Sequence, residues 1–128
     1  MLKDDEIGAA IVATPTSYHY EVASKLLSSG KNVLIEKPMT GDSSKARNLI
    51  DIAKESNRLL MVGFLLRYSP VVQYLKKSIL NNPKKSGTVS SVHAERLNPR
   101  DERRYDIGVT MDLTIHDIDL SMFLFDAK

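Results

Sequence analysis

Residues 111–125 read MDLTIHDIDLSMFLF and set Asp112, His116 and Asp119 at spacings i, i+4 and i+7. At the helical period of 3.6 these three fall on one stripe. The other positions are apolar nearly all round, a pattern that predicts a buried helix. A carboxylate and an imidazole are costly in such surroundings unless they pair or face a wet cavity. Asp112 can pair with His116 across one turn, and a buried Asp–His pair is what positions and tunes a general base. A core polar pair, or a solvent-facing edge, is an equally open reading. A metal site is a third, because all three side chains are competent ligands. No second histidine stands at ligand spacing, so no metal is expected.

Lys37 is the second candidate. It follows the apolar run Asn32–Glu36 and precedes Pro38, which biases it toward an extended backbone. Its ammonium then emerges at the end of a strand, where apolar walls would lower its affinity for a proton and let it donate or accept one. The alternative is a surface lysine in a turn. His19 stands in the first turn of a helix that follows Thr14-Pro15-Thr16-Ser17. The free N–H groups there favour a polar or anionic ligand group, although a structural histidine accounts for the position as well. Arg67, in Gly63-Phe64-Leu65-Leu66-Arg67-Tyr68-Ser69-Pro70, either contacts a phosphate or pairs with a carboxylate of its own chain.

The elements that must carry these groups alternate. Ile7–Thr14, Asn32–Glu36 and Leu59–Phe64 are short apolar runs, the mark of buried strands. Between them, Tyr18–Ser29 and Asp42–Ser56 repeat apolar residues at helical spacing. Thr16 or Ser17 and Asp42 or Ser43 are candidate caps, and Gly30 a candidate stop. Pro70 opens a further helix, with Ser69 as its cap. Strands joined this way form parallel βα units whose sheet is covered on both faces. Right-handed crossovers bring the loops 14–17, 37–40 and 65–69 to one edge, beside which ligands bind. That edge gathers Thr14, His19, Lys37 and Arg67.

After the polar stretch 81–87 the pattern changes. Thr88–Leu97 predicts a strand, Asn98–Gly108 a charged loop and Met111–Phe125 the last helix. The fold class is α/β: the C-terminal half of a Rossmann-type parallel sheet over residues 1–80, with the beginning of an α+β substrate domain over 84–128. No G-x-G-x-x-G occurs, although a dinucleotide fold opens on one. The expectation is therefore a piece of something longer.

Composition narrows the function. The 128 residues are 42% hydrophobic and 27% charged, ordinary for a globular domain. No apolar run reaches the ~20 residues of a membrane span, and the polar, acidic Met1–Glu6 is no signal peptide. The absence of cysteine excludes disulfides and thiolate chemistry and fits a cytoplasmic protein. Net charge is +2, yet residues 76–104 hold eight basic side chains against three acidic ones. This suits either a solvated face or the attraction of an anionic ligand. No aromatic and no recognition motif accompanies the segment, so nucleic acid is not expected as a partner.

Three motifs in order carry a resemblance. Ala13–Thr40 (ATPTSYHYEVASKLLSSGKNVLIEKPMT), with its Glu36-Lys37-Pro38 tripeptide, then GFLLRYSP (Gly63–Pro70), then GVTMDLTIHDIDL (Gly108–Leu120) resemble the Gfo/Idh/MocA oxidoreductases. The likeness covers nearly the whole chain and corresponds to the middle third of a full member. It implies hydride transfer from a secondary alcohol of a sugar, nucleotide-sugar or cyclitol to NAD or NADP. It implies that Lys37 bonds the reacting hydroxyl and that His116 is the general acid/base, oriented by Asp112. Thr14, Pro15, His19, Glu36, Lys37, Pro38 and Arg67 would lie along the cofactor, and the Lys37–Pro38 peptide would be cis. Within the family, Asn98–Arg100 together with the EKP and DLTIHDIDL runs point to a nucleotide-sugar, whose diphosphate the basic 96–104 stretch would attract. Without the glycine-rich turn, cofactor binding should be weak. The competing reading is an inactive, shortened homologue that acts as a binding or regulatory protein. A bare sheet edge also predicts self-association into a homo-oligomer.

Overall fold

A computed structural model of the chain describes residues 2–82, 84, 87, 89–95, 108 and 110–126. The chain divides into two compact units, Met1–Gly63 with Tyr105–Met111, and Phe64–Arg104 with Asp112–Lys128. The division comes at Gly63, ahead of the polar stretch 81–87.

The first unit is a three-stranded parallel sheet, β1 (Ala9–Val12), β2 (Asn32–Ile35) and β3 (Leu60–Val62), in the order β1-β2-β3. Ala9 pairs with Asn32 and Val12 with Ile35, while Val33 pairs with Leu60 and Ile35 with Val62. Helices α1 (Thr16–Ser28) and α2 (Ser43–Glu55) make the two crossovers. The strands and helices stand where the apolar runs put them, with shorter strands.

Local chemistry sets the helix ends. Asp42 caps α2, its carboxylate accepting the Ser44 N–H at 2.7 Å. The α1 cap is instead Pro15, and neither Thr16 nor Ser17 caps it, since both are already helical. Both helices stop in one way. Gly30 (φ 77°) donates to the Leu27 carbonyl and Lys31 to that of Leu26. Asn57 (φ 52°) donates to Lys54 and Arg58 to Ala53. A left-handed residue just past the helix thus closes the last carbonyls, a conformation open mainly to glycine and asparagine.

The core lies between the sheet and its helices. Ala10, Val12, Val33 and Ile35 pack against Ala23, Leu26 and Leu27 of α1 and Leu49 and Ala53 of α2. The expectation of a sheet covered on both faces is not met among the described residues. Ile11 is 71% exposed, and Leu59 and Met61 are exposed beside it. The reason is topological. With strands added in one direction, right-handed crossovers lay every helix on one face, and a second layer needs a reversal of strand order.

Two polar side chains secure the start of the sheet. The buried Lys31 donates from Nζ to the Asp4 carbonyl at 2.6 Å. Asn32 donates from Nδ2 to the Gly8 carbonyl, and its Oδ1 accepts the Leu59 N–H at 3.0 Å, so one side chain touches the entry to all three strands.

The second unit is helical. Among the described residues it holds a 3₁₀ turn (Leu65–Tyr68), α3 (Pro70–Tyr74), a π-type turn (Leu75–Leu80), the part from Asp112 on of another π-type turn (Thr110–Thr114), and α4 (Ile115–Leu124). Pro70 occupies the first position of α3 as expected, but the Ser69 side chain makes no capping bond. Residues 89–95 form no strand. A strand needs a partner for its N–H and C=O groups, and in the described residues the sheet is complete with β3. The remainder of that predicted strand, residues 88, 96 and 97, lies outside the described residues. So does most of the charged loop, including Asn98–Arg100 and the basic 96–104 stretch.

Candidate active site

The loops that leave β1 and β2 carry Thr14, Pro15, Glu36, Lys37 and Pro38 to the carboxyl edge of the sheet. Thr14 and Pro15 are exposed, Glu36 and Lys37 half-buried and Pro38 buried. The β1–β2 ladder runs on to Glu36, whose N–H donates to the Val12 carbonyl at 2.9 Å, while Gly63 donates to the Ile35 carbonyl at 2.8 Å. Glu36 does not continue the strand. Its carboxylate turns back and accepts the Lys37 N–H at 3.3 Å. It lies close over Gly63, where a Cβ would stand 3.4 Å from Glu36 Oε2. The Lys37–Pro38 peptide is cis. Thr40 then donates from Oγ1 to the Asp42 carbonyl at 2.6 Å and leads the chain into α2.

His19 does not face this edge as a free ligand. It is 1% exposed, and each ring nitrogen meets a main-chain carbonyl. Nε2 stands 2.8 Å from the Thr14 oxygen and Nδ1 2.9 Å from the Pro38 oxygen. The ring thus joins the loop after β1 to the loop after β2. Its place in the first turn of α1 was legible in the sequence; its inward direction depends on α1 packing on the sheet and was not.

In the second unit Arg67 has a protein partner. Its Nε donates to both Asp119 oxygens at 3.0 and 2.9 Å, and Nη2 adds a third bond to Oδ1. The guanidinium lies against the rings of Phe64 and Phe123, 5.2 and 5.5 Å from their centroids. Hydrogen bonding to Asp119 pushes it above its already high ordinary value, against a smaller effect of burial, so it stays charged at any working pH. This is the pairing alternative that the sequence left open. The signal was Asp119 itself, a carboxylate on an otherwise apolar helix.

The predicted helix 111–125 is two segments. Asp112 lies in the π-type turn Thr110–Thr114 and His116 in the first turn of α4, both half-buried. The helix is not buried all round. Asp119 is its buried residue, while Ile118 and Met122 are exposed. Asp119 therefore serves Arg67. Among the described residues no group of three acidic, histidine or cysteine side chains is arranged to hold a metal. No described helix is long and apolar enough to cross a membrane.

Comparison with known proteins supplies the lineage. The family model described as "Oxidoreductase family, NAD-binding Rossmann fold" (GFO_IDH_MocA) matches residues 1–64. The UDP-N-acetylglucosamine 3-dehydrogenase of Acidithiobacillus ferrooxidans is 40% identical over 123 residues, 96% of this chain and 37% of that protein. Its crystal structure superposes with a TM-score of 0.81, covering 93% of this chain and 38% of that one. The scyllo-inositol 2-dehydrogenase (NAD(+)) of Bacillus subtilis is 27% identical, across 100% of this chain and 38% of its own length. The chain thus spans under two-fifths of the curated relatives it matches. With its parallel βα units, its Glu36-Lys37-Pro38 loop and a family model matched across half its length, the chain belongs to the Gfo/Idh/MocA oxidoreductases.

Proposed function

We propose that this chain forms the middle of a nicotinamide-dependent dehydrogenase that oxidises a secondary alcohol of a sugar or nucleotide-sugar. Residues 1–80 are its partial dinucleotide-binding domain, without the glycine-rich unit, and 84–128 begin its substrate domain. The observation that carries the reading is Lys37, held at the carboxyl edge of a parallel sheet beside the exposed Thr14 and Pro15, where ligands of such sheets bind.

The residues present fit one end of a dinucleotide. Thr14, Pro15, Glu36, Lys37 and Pro38 would hold the nicotinamide and its ribose, while the sequence holds no glycine-rich cradle for the diphosphate. When bound, nicotinamide accepts the hydride that leaves the alcohol carbon. The chain's own residues manage the proton. Lys37 donates a hydrogen bond to the hydroxyl oxygen, His116 takes the hydroxyl proton, and Asp112 orients the imidazole. His19 and Arg67 were expected along the cofactor. The carbonyl partners of His19 favour a role in holding the loops after β1 and β2, and the carboxylate partner of Arg67 a role inside the second unit. Identity of 40% to the Acidithiobacillus dehydrogenase favours a nucleotide-activated amino sugar as substrate. NAD or NADP serves as oxidant. We further propose that the chain acts in the cytoplasm, which the absence of cysteine fits, and that it self-associates.

The test is turnover in a polypeptide with a glycine-rich strand–turn–helix placed ahead of residue 1. Lys37→Ala and His116→Ala should each lower kcat by at least 100-fold, the lower end of general acid–base contributions of roughly 10²–10⁴. His116→Ala should also flatten the pH–rate profile. Little change in turnover removes the residue concerned from its role. A second reading, an inactive binding protein, would be favoured if this polypeptide bound a nucleotide-sugar tightly without oxidising it.

A further inference from the structure

We propose that His19 is a positioning residue for Lys37, a role that rests on Lys37 being the lysine that meets the substrate hydroxyl. The ladder between β1 and β2 ends with Glu36 N–H on the Val12 carbonyl. Past that rung the two chains diverge into separate loops, and the imidazole of His19 spans them. Nε2 meets the Thr14 carbonyl at 2.8 Å and Nδ1 the Pro38 carbonyl at 2.9 Å.

Carbonyl oxygens only accept. Which ring nitrogen donates depends on the tautomer, and a proton on Nδ1 gives the Pro38 carbonyl its hydrogen bond. Both distances are in the hydrogen-bonding range, and the brace on the Lys37 loop takes the tautomer with its proton on Nδ1, facing the Pro38 carbonyl. The His19 Cα sits in the first turn of α1, whose later turns are locked into the core by Ala23, Leu26 and Leu27. The brace is therefore anchored on a helix packed into the core.

Lys37 lies between two fixed points. Its own N–H is held by the Glu36 carboxylate, and the carbonyl of the next residue, Pro38, is held by His19. With both ends restrained, the direction in which the lysine leaves the main chain is set before any ligand arrives. His19 touches no reacting atom in this scheme; it acts through the loop it holds.

The experiment uses the 128-residue chain. Long-range nitrogen–proton NMR should find a proton on Nδ1 of His19, the nitrogen that faces the Pro38 carbonyl; a bare Nδ1 overturns the brace. Reductive methylation with labelled formaldehyde then reports on Lys37, which should give a resonance resolved from the exposed lysines. In His19→Phe that resonance should merge with them, and His19→Gln, whose amide replaces one donor, should restore part of the separation. Leu49→Ala, a core change remote from the loops, should lower the melting temperature and leave the Lys37 resonance in place. A Lys37 resonance unmoved by His19→Phe, or moved equally by Leu49→Ala, overturns the proposal. Should His19→Phe fail to fold, the wild-type ring spectrum and His19→Gln decide. These readouts involve no turnover, so failure of the catalytic role of Lys37, measured by Lys37→Ala as above, is seen separately.

Discussion

Arg67 grips Asp119 across fifty-two positions of sequence, offering Nε and Nη2 to the carboxylate while its flat face rests on Phe64 and Phe123. The aspartate is 6% exposed and the arginine side chain 38%. Removing the arginine leaves a buried carboxylate without its counter-charge. Arg67→Met should cost roughly 2–3 kcal/mol, less than the ~3–5 of a fully buried pair because water reaches the guanidinium. Arg67→Lys should recover only part, since an ammonium cannot bond both oxygens in the plane of a fork. Urea unfolding followed at the second unit measures both, and a loss confined to a few tenths would make the pair a surface ornament.

The Asp42 cap predicts a pH dependence. Hydrogen bonds from the Ser44 side chain and backbone hold its carboxyl below the usual aspartate range. A carboxyl depressed by folding stabilises above its unfolded value, and the contribution is lost as the pH falls through its folded value. The melting temperature gap between the wild type and Asp42→Ala should therefore be open at neutral pH and close under acid. Asp42→Ser, a cap that does not titrate, should narrow the neutral gap and remove its pH dependence.

Gly30 and Asn57 predict opposite responses to substitution. A Cβ at Gly30 would meet only the Arg58 guanidinium at 3.6 Å, so space is available and the backbone decides. At φ 77° alanine should cost about 1–2 kcal/mol. Asn57 stands at φ 52°, where glycine is at least as comfortable, so Asn57→Gly should be neutral or slightly stabilising and Asn57→Ala destabilising. Chemical denaturation of the three variants orders them.

The uncovered sheet face predicts association. Ile11 at 71% and Leu59 at 75% exposure, with the exposed Met61 on the same face, are the groups a second copy would cover. Small-angle scattering of the wild type should give the mass of a dimer or larger assembly, and Ile11→Lys should shift it toward the monomer. A wild type that stays monomeric as its concentration is raised ends the proposal.

What sequence made legible was local. The Asp42 cap, the Gly30 stop and the three apolar runs each depend on neighbours within a turn or two, and each stands in the structure. What it missed was set at a distance. Whether His19 looks outward or inward depends on where β2 delivers Pro38. The bare face follows from the strand order, which spacing alone does not reveal. Of the strand expected over 88–97, the described residues 89–95 form none, because strand propensity cannot supply the ladder partner that a strand requires.

Asn32 has a bearing on how the sheet comes apart. Its carboxamide bonds Gly8 through Nδ2 and Leu59 through Oδ1, so one side chain pins both outer strands at their entry ends. With both flanks pinned, the amides of Val33 to Ile35 should exchange with deuterium more slowly than those of either outer strand. Asn32→Ala would uncouple the edges, letting each fray by itself while the middle strand stays protected.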